Sequence, residues 1–263
     1  MNTFSYRGYQ ISYSEYGNEN GRRVILVPDD GQDSTSVQSA ISCMTASYRI
    51  VLLDFLGCGQ SDKPPGFVSD LWHDQALQLK ELFYAAGYET AILIGFGEGG
   101  CRTCAEFLRE CPELAELVVF SAKSFRPGSL SPEAEGKVFV IPDSMRPAGG
   151  ISWNLLNLIL KQILEEDLNP CPWCGQPMVR GMIVGGRDMV RWNPGGANDL
   201  WPLEEDGFIL RNRKPKGFLE NLKTMFDADC AQLTAWVCFS CGKLTADVDH
   251  LIETERKNED DRF

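Results

Sequence analysis

The chain has 263 residues, of which 43% are hydrophobic, so it can form one large domain or a medium-sized domain with a small one. Its 25 basic and 37 acidic side chains give a formal net charge of −12, which argues against nonspecific binding of nucleic acid or of an anionic membrane. No basic segment followed by an apolar run opens the sequence, and no long apolar stretch follows, so we expect a cytoplasmic protein without a signal peptide or membrane span.

Strands and helices alternate through the first half of the sequence. Residues 4–16 alternate apolar and polar side chains around a glycine, which predicts two short antiparallel strands. Ser34 is the expected N-cap of the first helix. Strands that alternate with helices of ordinary length indicate βαβ units and a parallel sheet. Apolar runs predict buried strands over 24–27, 50–53, 91–94 and 117–120, and helical spacing predicts helices over 34–47, 70–86 and 101–111.

The pattern changes after residue 123. A connector rich in Pro, Gly and Ser over 124–136 precedes a short apolar strand over 138–141, which could join either the main sheet or the C-terminal segment. An apolar helix is predicted over 151–166, and hairpins over 178–192 and 233–247. The predicted segments are an α/β domain over 1–148, a connecting apolar helix over 149–168, a β-rich domain over 169–249 and a charged tail over 250–263.

A glycine stands where a catalytic nucleophile would be expected. Residues 92–100, ILIGFGEGG, are typical of a buried strand, a Gly-rich turn and a helix. This is the frame of the nucleophile elbow, Gly-x-Ser-x-Gly, in which a strained turn exposes the catalytic side chain above the sheet. Gly97 occupies the central position and carries no side chain that could attack a substrate.

Three motifs in order resemble the α/β-hydrolase family over residues 4–123. They are VILVPDDG at the oxyanion-loop position, DFLGCGQSDKP after the next strand, and GFGEGG at the elbow. The resemblance implies an α/β fold with a truncated, mostly parallel sheet flanked by helices. It also implies a chemistry that needs a nucleophile, an acid and a histidine. Gly97 departs from that pattern, and the later half of the fold, which supplies the family's histidine, has no counterpart here.

Few side chains in the sequence could replace the missing nucleophile and histidine. The only histidines are His73, expected at a helix start, and His250, beside the acidic tail. Asp29, Asp30 and Glu98 would crowd the oxyanion position with negative charge, which opposes acyl transfer. We therefore favour a pocket without catalysis. The alternative is an atypical hydrolase or lyase in which one of these carboxylates acts with His73.

A second alternative is binding of an anion or nucleotide at the elbow. Gly95, Gly97 and Gly100 satisfy the Gly-x-Gly-x-x-Gly pattern between a strand and a helix. However, that fingerprint normally follows the first strand of its fold, whereas here two βα units precede it. Residues 120–121, Phe-Ser, also stand where an acidic residue is expected, and Glu98 would repel a pyrophosphate.

Four cysteines predict a metal site near the C-terminus. Cys171 and Cys174 form one Cys-x-x-Cys-Gly knuckle, and Cys238 and Cys241 form another. Two such pairs make a tetrahedral four-cysteine site, so we expect one structural zinc ion. The segments CPWCGQPMVRGMIVGGRDMVRW and AWVCFSCGKLTADV resemble an uncharacterised bacterial zinc-ribbon family, which assigns 169–249 to a zinc-ribbon domain. Charge in this domain is nearly balanced, which does not favour nucleic acid.

These patterns together predict a non-catalytic zinc-binding protein. A degenerate hydrolase-like domain fused to a zinc ribbon would act as a binding or regulatory module, with a protein or small molecule as its partner. A further pair, Cys101 and Cys104, lies at a helix start, where redox chemistry is conceivable but buried structural thiols are favoured.

Overall fold

The chain divides into two compact units, Met1–Asp143 and Ser144–Phe263. The structure is a computed structural model. His250 and the predicted charged tail over 250–263 lie outside the residues that it describes. Among the described helices, none has the length and apolar character needed to cross a membrane. The described residues are 1–66, 69–121, 130–141, 153–165, 169–185, 189–194, 208–212, 231–238 and 241–246.

The first unit is built on a seven-stranded sheet. The strands are β1 (Asn2–Tyr6), β2 (Tyr9–Gly17), β3 (Arg22–Val27), β4 (Tyr48–Asp54), β5 (Ala91–Phe96), β6 (Ala115–Ser121) and β7 (Val138–Val140). Their order in the sheet is β1-β2-β4-β3-β5-β6-β7. Strands β1 and β2 are antiparallel to their neighbours, and all other neighbouring pairs are parallel. The predicted parallel sheet is confirmed, and the short apolar strand whose place was open pairs with β6 as the last strand in the order of this sheet.

Four helices accompany this sheet: α1 (Ala40–Met44), α2 (Leu71–Ala86), α3 (Gly97–Glu110) and α4 (Pro132–Glu135). The single helix predicted over 34–47 is wrong, because a 3-10 turn at Ser34–Val37 precedes the short α1. Ser34 is not the N-cap of this turn. Asp33 takes that role by accepting the Thr35 amide at 3.0 Å, and the Ser34 amide is donated to Asp54 Oδ1 at 2.8 Å.

The core of the first unit lies on both faces of the parallel strands. Ile25 and Val27 of β3 pack in one cluster with α2 and α3 residues such as Leu79. Their neighbours Val24 and Leu26 point to the opposite face and are equally buried. Burial on both faces explains why the parallel strands appear in the sequence as continuous apolar runs rather than as an alternation.

The described elements of the second unit are α5 (Trp153–Glu165), β8 (Val179–Gly185), β9 (Met189–Pro194), β10 (Phe208–Asn212), β11 (Ala231–Cys238) and β12 (Lys243–Ala246). Its strands form an antiparallel five-stranded sheet with the order β10-β9-β8-β11-β12. The predicted hairpins correspond to the pairs β8–β9 and β11–β12. Gln162 links α5 to β8, because its side chain donates to the Arg180 carbonyl and accepts the Arg180 amide, at 2.8 and 2.7 Å.

Candidate functional site

The pairing of β3 with β5 brings the elbow and the oxyanion-position loop together. Val27 of β3 is in register with Gly95 of β5, so Asp29 and Gly97, each two residues further on, meet beyond the carboxyl edge of the sheet. In open α/β sheets this edge is where ligand-binding residues gather. The structure thus places Asp29 directly against the turn that the sequence singled out.

The carboxylate of Asp29 fills the space where a nucleophilic side chain would stand. Gly97 has a φ of +64°, so the sharp turn of a nucleophile elbow is preserved. A Cβ atom added to Gly97 would lie 2.0 Å from Asp29 Cγ and 2.1 Å from Asp29 Oδ2, far inside any allowed contact. No other side chain can therefore occupy this position while Asp29 keeps its place.

Asp29 also caps the helix that starts at the elbow. The N-cap residue of α3 is Phe96, whose side chain caps nothing. Asp29 Oδ1 instead accepts the amide of Gly99 in the first turn at 2.8 Å, and the Asp30 amide at 3.0 Å. A carboxylate at this end of a helix is stabilised by the free amides and the helix dipole. The elbow is consequently an anion site that an internal carboxylate already occupies.

The other two predicted acids belong to a second cluster beside the elbow. The Trp72 indole donates to both carboxylate oxygens of Asp30, at 3.1 and 3.2 Å. The Arg102 guanidinium lies over the Trp72 ring, 4.3 Å from its centroid, and pairs with Glu98 one helical turn away. Trp72 and Arg102 were not predicted from the sequence. The i, i+4 spacing of Glu98 and Arg102 could have indicated their ion pair, but nothing local indicates Trp72.

His73 is not placed with the carboxylates at the elbow. Its Nδ1 atom lies 3.8 Å from Glu110 Oε1, at the residue where α3 ends. That residue is about 20 Å along the helix from Gly97, given a rise of about 1.5 Å per residue. Within the described part of the chain, no hydrogen bond or ion pair links the His73 side chain to Asp29, Asp30 or Glu98.

The DFLGCGQSDKP motif forms a loop organised around a buried carboxylate. Asp54 accepts the amides of Ser34 and Gln60, each at 2.8 Å. Gly59 has a φ of +46°, and a Cβ there would lie 2.2 Å from Asp54 Oδ2. Ser61 donates to the Asp54 carbonyl and accepts the Ser12 amide at 2.8 Å. The motif therefore has a structural explanation that does not require catalysis.

The cysteines of α3 are buried core residues. Cys101 and Cys104 are fully buried, and neither forms a disulfide. The Cys101 thiol donates to the Gly95 carbonyl at 3.1 Å. Burial raises the pKa of Cys104 well above its usual value, which keeps it as a neutral thiol. This environment fits the structural interpretation of the pair and opposes redox chemistry.

The four cysteines of the two knuckles come together in the second unit. All their Sγ atoms lie within 4.8 Å of one another, and none forms a disulfide. Cys171 Sγ lies 3.6 Å from Cys241 Sγ, and Cys174 Sγ lies 3.4 Å from Cys238 Sγ. A disulfide would require about 2.05 Å, whereas sulfurs at the corners of a tetrahedron with metal bonds of about 2.3 Å are about 3.8 Å apart. The observed separations suit a shared metal ion.

Backbone amides of the two knuckles donate hydrogen bonds to cysteine sulfurs of the cluster. The Gly175 amide donates to the Cys171 carbonyl at 2.8 Å, and the Gly242 amide donates to the Cys238 carbonyl at 2.9 Å. Both glycines have positive φ, as the tight turn needs. These matching turns direct backbone amides towards the sulfurs of Cys171, Cys238 and Cys241. Such bonds stabilise thiolates and orient them for a metal.

The knuckle sulfurs have different affinities for a proton. Burial works against ionisation of Cys171, but hydrogen bonds from the amides of Trp173 and Cys174 lower its pKa to about 7. Burial raises the pKa of Cys238 to about 12. A cation at the centre of the cluster would favour thiolate at every position. The donor set, spacing and backbone geometry therefore fit a soft divalent ion, and these four cysteines would hold it.

The second unit matches a known family of unassigned role. Residues 171–250 match a family described as a domain of unknown function, DUF6487. The matched segment contains both knuckles and the strands between them. Comparison of the chain with curated proteins found no match.

Solved structures of α/β-hydrolases are similar to the N-terminal half of the chain. They include a bacterial membrane phospholipase A (24% identity, TM-score 0.42, 45% of this chain and 38% of that one). The esterase RhEst1 from Rhodococcus sp. ECU1013 shows 25% identity and a TM-score of 0.42 over 46% of this chain and 45% of its own. The α/β-hydrolase MGS-M2 from a Medee basin deep-sea metagenome shows 19% identity and a TM-score of 0.42, with coverages of 45% and 43%. The chain thus spans less than half the length of each of these proteins.

Proposed function

We propose that this protein is a non-catalytic zinc-binding protein in which a hydrolase-like unit serves as a binding or regulatory module. One observation carries the proposal: the carboxylate of Asp29 occupies the nucleophile's position at Gly97 and accepts the neighbouring amides. The same contacts cap α3. Asp29 thus caps the start of α3 at the position where an enzyme would need a reactive group.

Acyl transfer requires three elements that this elbow does not combine. It needs a nucleophile, a base close enough to remove its proton, and free amides to stabilise the oxyanion. Gly97 has no side chain, and His73 is directed to Glu110 at the far end of α3. The Gly99 and Asp30 amides already bind a carboxylate. A substrate oxygen would have to displace that charged group before either of these two amides became available.

An atypical hydrolase or lyase is the second candidate, because a carboxylate can itself be a nucleophile. Asp29 has the position for this role. However, its Oδ1 atom accepts two amides, which stabilise its negative charge and so reduce its tendency to attack carbon. No described histidine lies beside it to activate water for the second half of such a reaction. The geometry favours the capping role.

Anion or nucleotide binding at the elbow is the third candidate. The Gly-rich turn at a helix start suggests this role, but close backbone packing already explains why positions 95 and 100 require glycine. A Cβ on Gly95 would lie 2.7 Å from the Gly100 carbonyl oxygen, and one on Gly100 would lie 2.5 Å from the Val27 carbonyl oxygen. Asp29 also fills the anion position. Thermal-shift measurements with millimolar nucleotides should therefore show no stabilisation, whereas linkage would produce a clear increase in Tm if they bound.

The four-cysteine cluster supports a structural zinc ion. Four thiolates without a free coordination position make the closed site typical of structural rather than catalytic zinc. When bound, the ion would supply cross-linking between the two knuckles, and Cys171, Cys174, Cys238 and Cys241 would hold it. Reduced thiols of this kind are maintained in the cytoplasm, where we place the protein. A protein or a small molecule is the expected partner, since the net charge of −12 opposes nucleic acid.

Activity measurements test the absence of catalysis. Wild-type protein should not turn over a panel of acyl esters, amides, epoxides and haloalkanes, and Asp29→Ala and His73→Ala should behave identically. Glu110→Ala, which removes the group beside His73 and leaves the elbow intact, is the matched control for His73→Ala. Turnover that survives Glu110→Ala but is lost in Asp29→Ala, with the fold preserved by circular dichroism, would establish a carboxylate-dependent enzyme.

Elemental analysis tests the metal proposal separately. We expect about one zinc per chain after expression in zinc-containing medium. Cys171→Ser and Cys238→Ser should lose the metal, whereas Cys111→Ser, which removes a buried thiol of the first unit, should retain it. A wild-type protein that holds no zinc, or that holds the same amount after Cys171→Ser, would contradict the proposal.

A further inference from the structure

The four-cysteine cluster pairs each buried sulfur with an exposed one across the two knuckles. Cys171 and Cys238 are buried, whereas Cys174 and Cys241 are exposed. The close contacts join Cys171 to Cys241 at 3.6 Å and Cys174 to Cys238 at 3.4 Å. Each contact therefore combines a sulfur that solvent can reach with a protected sulfur from the other knuckle.

We propose that this cluster is a peroxide-responsive switch in which oxidation forms the disulfides Cys171–Cys241 and Cys174–Cys238 and releases the metal. This inference rests on the proposed zinc site and adds its regulation. The oxidant is a hydroperoxide, of which hydrogen peroxide is the simplest. The connectivity joins one knuckle to the other, in contrast to the disulfides within each Cys-x-x-Cys pair that the sequence spacing alone would suggest.

The chemistry proceeds through the exposed sulfurs. The Cys174 or Cys241 thiolate attacks a peroxide oxygen, the O–O bond breaks, and a sulfenic acid and hydroxide form. The buried partner then attacks the sulfenic sulfur, forming the S–S bond as the S–O bond breaks and a second hydroxide leaves. Two protons convert the hydroxides to water. Each disulfide thus takes two electrons from two thiolates and reduces one peroxide.

The short distance between the partner sulfurs makes the second step favourable at these positions. The partner sulfurs need to close only from 3.4–3.6 Å to a bond of about 2.05 Å. The sulfenic acid therefore meets its resolving thiolate before it can be oxidised further. Disulfide sulfurs carry no negative charge and bind zinc poorly, so consumption of the four thiolates removes the ligands of the site.

Cysteines elsewhere provide internal controls. Cys101, Cys104 and Cys111 are fully buried and should not react under conditions that oxidise the cluster. Cys43 and Cys58 are partly exposed, and Cys230 lies outside the described residues. A Cys43→Ser, Cys58→Ser, Cys230→Ser triple variant removes these last three thiols and leaves all four knuckle cysteines in place.

The experiment uses the full-length triple variant, with wild-type protein as its matched control. Zinc content is measured first. The protein is then titrated with hydrogen peroxide while released zinc is followed with a chromogenic chelator and thiols with Ellman's reagent. About two equivalents of peroxide should consume about four thiols and release about one zinc per chain. Dithiothreitol with added zinc should restore the four thiols and the bound zinc. Wild-type protein should release the same amount of zinc.

Peptide mapping identifies the connectivity. Trypsin leaves each knuckle in its own peptide, because it cuts after Lys161, Arg180, Lys223 and Lys243. Chymotrypsin then separates the two cysteines of each knuckle by cutting after Trp173 and Phe239. Peptides joined as Cys171–Cys241 and Cys174–Cys238 would support the proposal.

Two results would overturn the switch while leaving the zinc site intact. One is zinc-loaded protein that retains its metal at millimolar peroxide. The other is disulfides confined to Cys171–Cys174 and Cys238–Cys241. Protein that contains no zinc before oxidation fails at the earlier step and contradicts the proposed metal site itself, so the two failures are distinguishable.

Discussion

Replacing Gly97 by alanine tests whether the elbow is held by Asp29. The added methyl group would lie 2.0 Å from Asp29 Cγ, so the carboxylate must rotate away. It then loses its hydrogen bonds to the amides of Gly99 and Asp30. Alanine at a φ of +64° also carries the strain of a left-handed backbone conformation.

A second glycine separates the two contributions to this cost. Gly87, which ends α2, has a nearly identical φ of +67°, and a Cβ there would meet nothing within 4 Å. Gly87→Ala therefore reports the backbone strain alone, about 1–2 kcal/mol. Hydrogen bonds to a charged group contribute about 1.5–3 kcal/mol, so Gly97→Ala should be destabilised by about that much more than Gly87→Ala.

A double-mutant cycle assigns the difference to Asp29. Asp29→Ala removes the cap of α3 and should cost about 0.5–2 kcal/mol. Once Asp29 is absent, alanine at position 97 displaces nothing, so the double variant should be less destabilised than the sum of the single variants by at least about 1 kcal/mol. Urea unfolding followed by circular dichroism measures all four proteins. If the two substitutions were additive, or if Gly97→Ala and Gly87→Ala unfolded alike, the proposed occupation of the elbow by Asp29 would be refuted.

Three further outcomes are expected. Gly59→Ala should destabilise the first unit by about 1–3 kcal/mol more than Gly57→Ala, because its Cβ would lie 2.2 Å from Asp54 Oδ2 whereas Gly57 faces open space; equal urea midpoints would contradict this. Burial opposes ionisation of Glu15, but hydrogen bonds from Tyr88 and Arg49 lower its pKa below the usual value of 4.5. Its ionised form therefore stabilises the fold above about pH 4.5, and this contribution is lost as the pH falls through the lowered pKa. Glu15→Gln should accordingly be less stable than wild type at pH 7, with a difference that shrinks on acidification; a difference independent of pH would show that ionisation contributes nothing. Removal of the metal with a strong chelator should increase hydrogen exchange at 171–185 and 231–246 and leave β3 and β5 protected, and unchanged exchange would contradict a structural role for the ion.

The helices and strands most accurately predicted from the sequence are those whose structure is determined by residues close to one another in the chain. Apolar runs indicated the central strands because both faces of the sheet are buried, and helical spacing indicated 70–86, where the structure has α2. The helix predicted over 34–47 failed for the opposite reason. Asp54, the last residue of β4, accepts the Ser34 amide at the start of the 3-10 turn, and no local pattern contains that contact.

The predictions for the candidate sites also succeeded where a local pattern was sufficient and failed where a contact joins residues far apart in the chain. Two-residue spacing within each knuckle revealed the four cysteines, because a Cys-x-x-Cys-Gly turn is a local structure that brings two sulfurs to one side. The acids Asp29, Asp30 and Glu98 were recognised as neighbours of the elbow, but their individual partners were not. Trp72 approaches Asp30 from a helix 42 residues further along the chain, a distance over which composition and periodicity carry no information.

The sequence by itself determined that Gly97 leaves the elbow without a nucleophile and that four cysteines form two Cys-x-x-Cys-Gly knuckles. Only the tertiary structure decided what replaces the missing side chain and which sulfurs face each other. The pairing of β3 with β5 seats Asp29 against a helix start 70 residues away, and the pairing of β11 with β8 and β12 brings one knuckle to the other. Both outcomes depend on strand register, which arises from burial of whole sheet faces and is not encoded in any single segment.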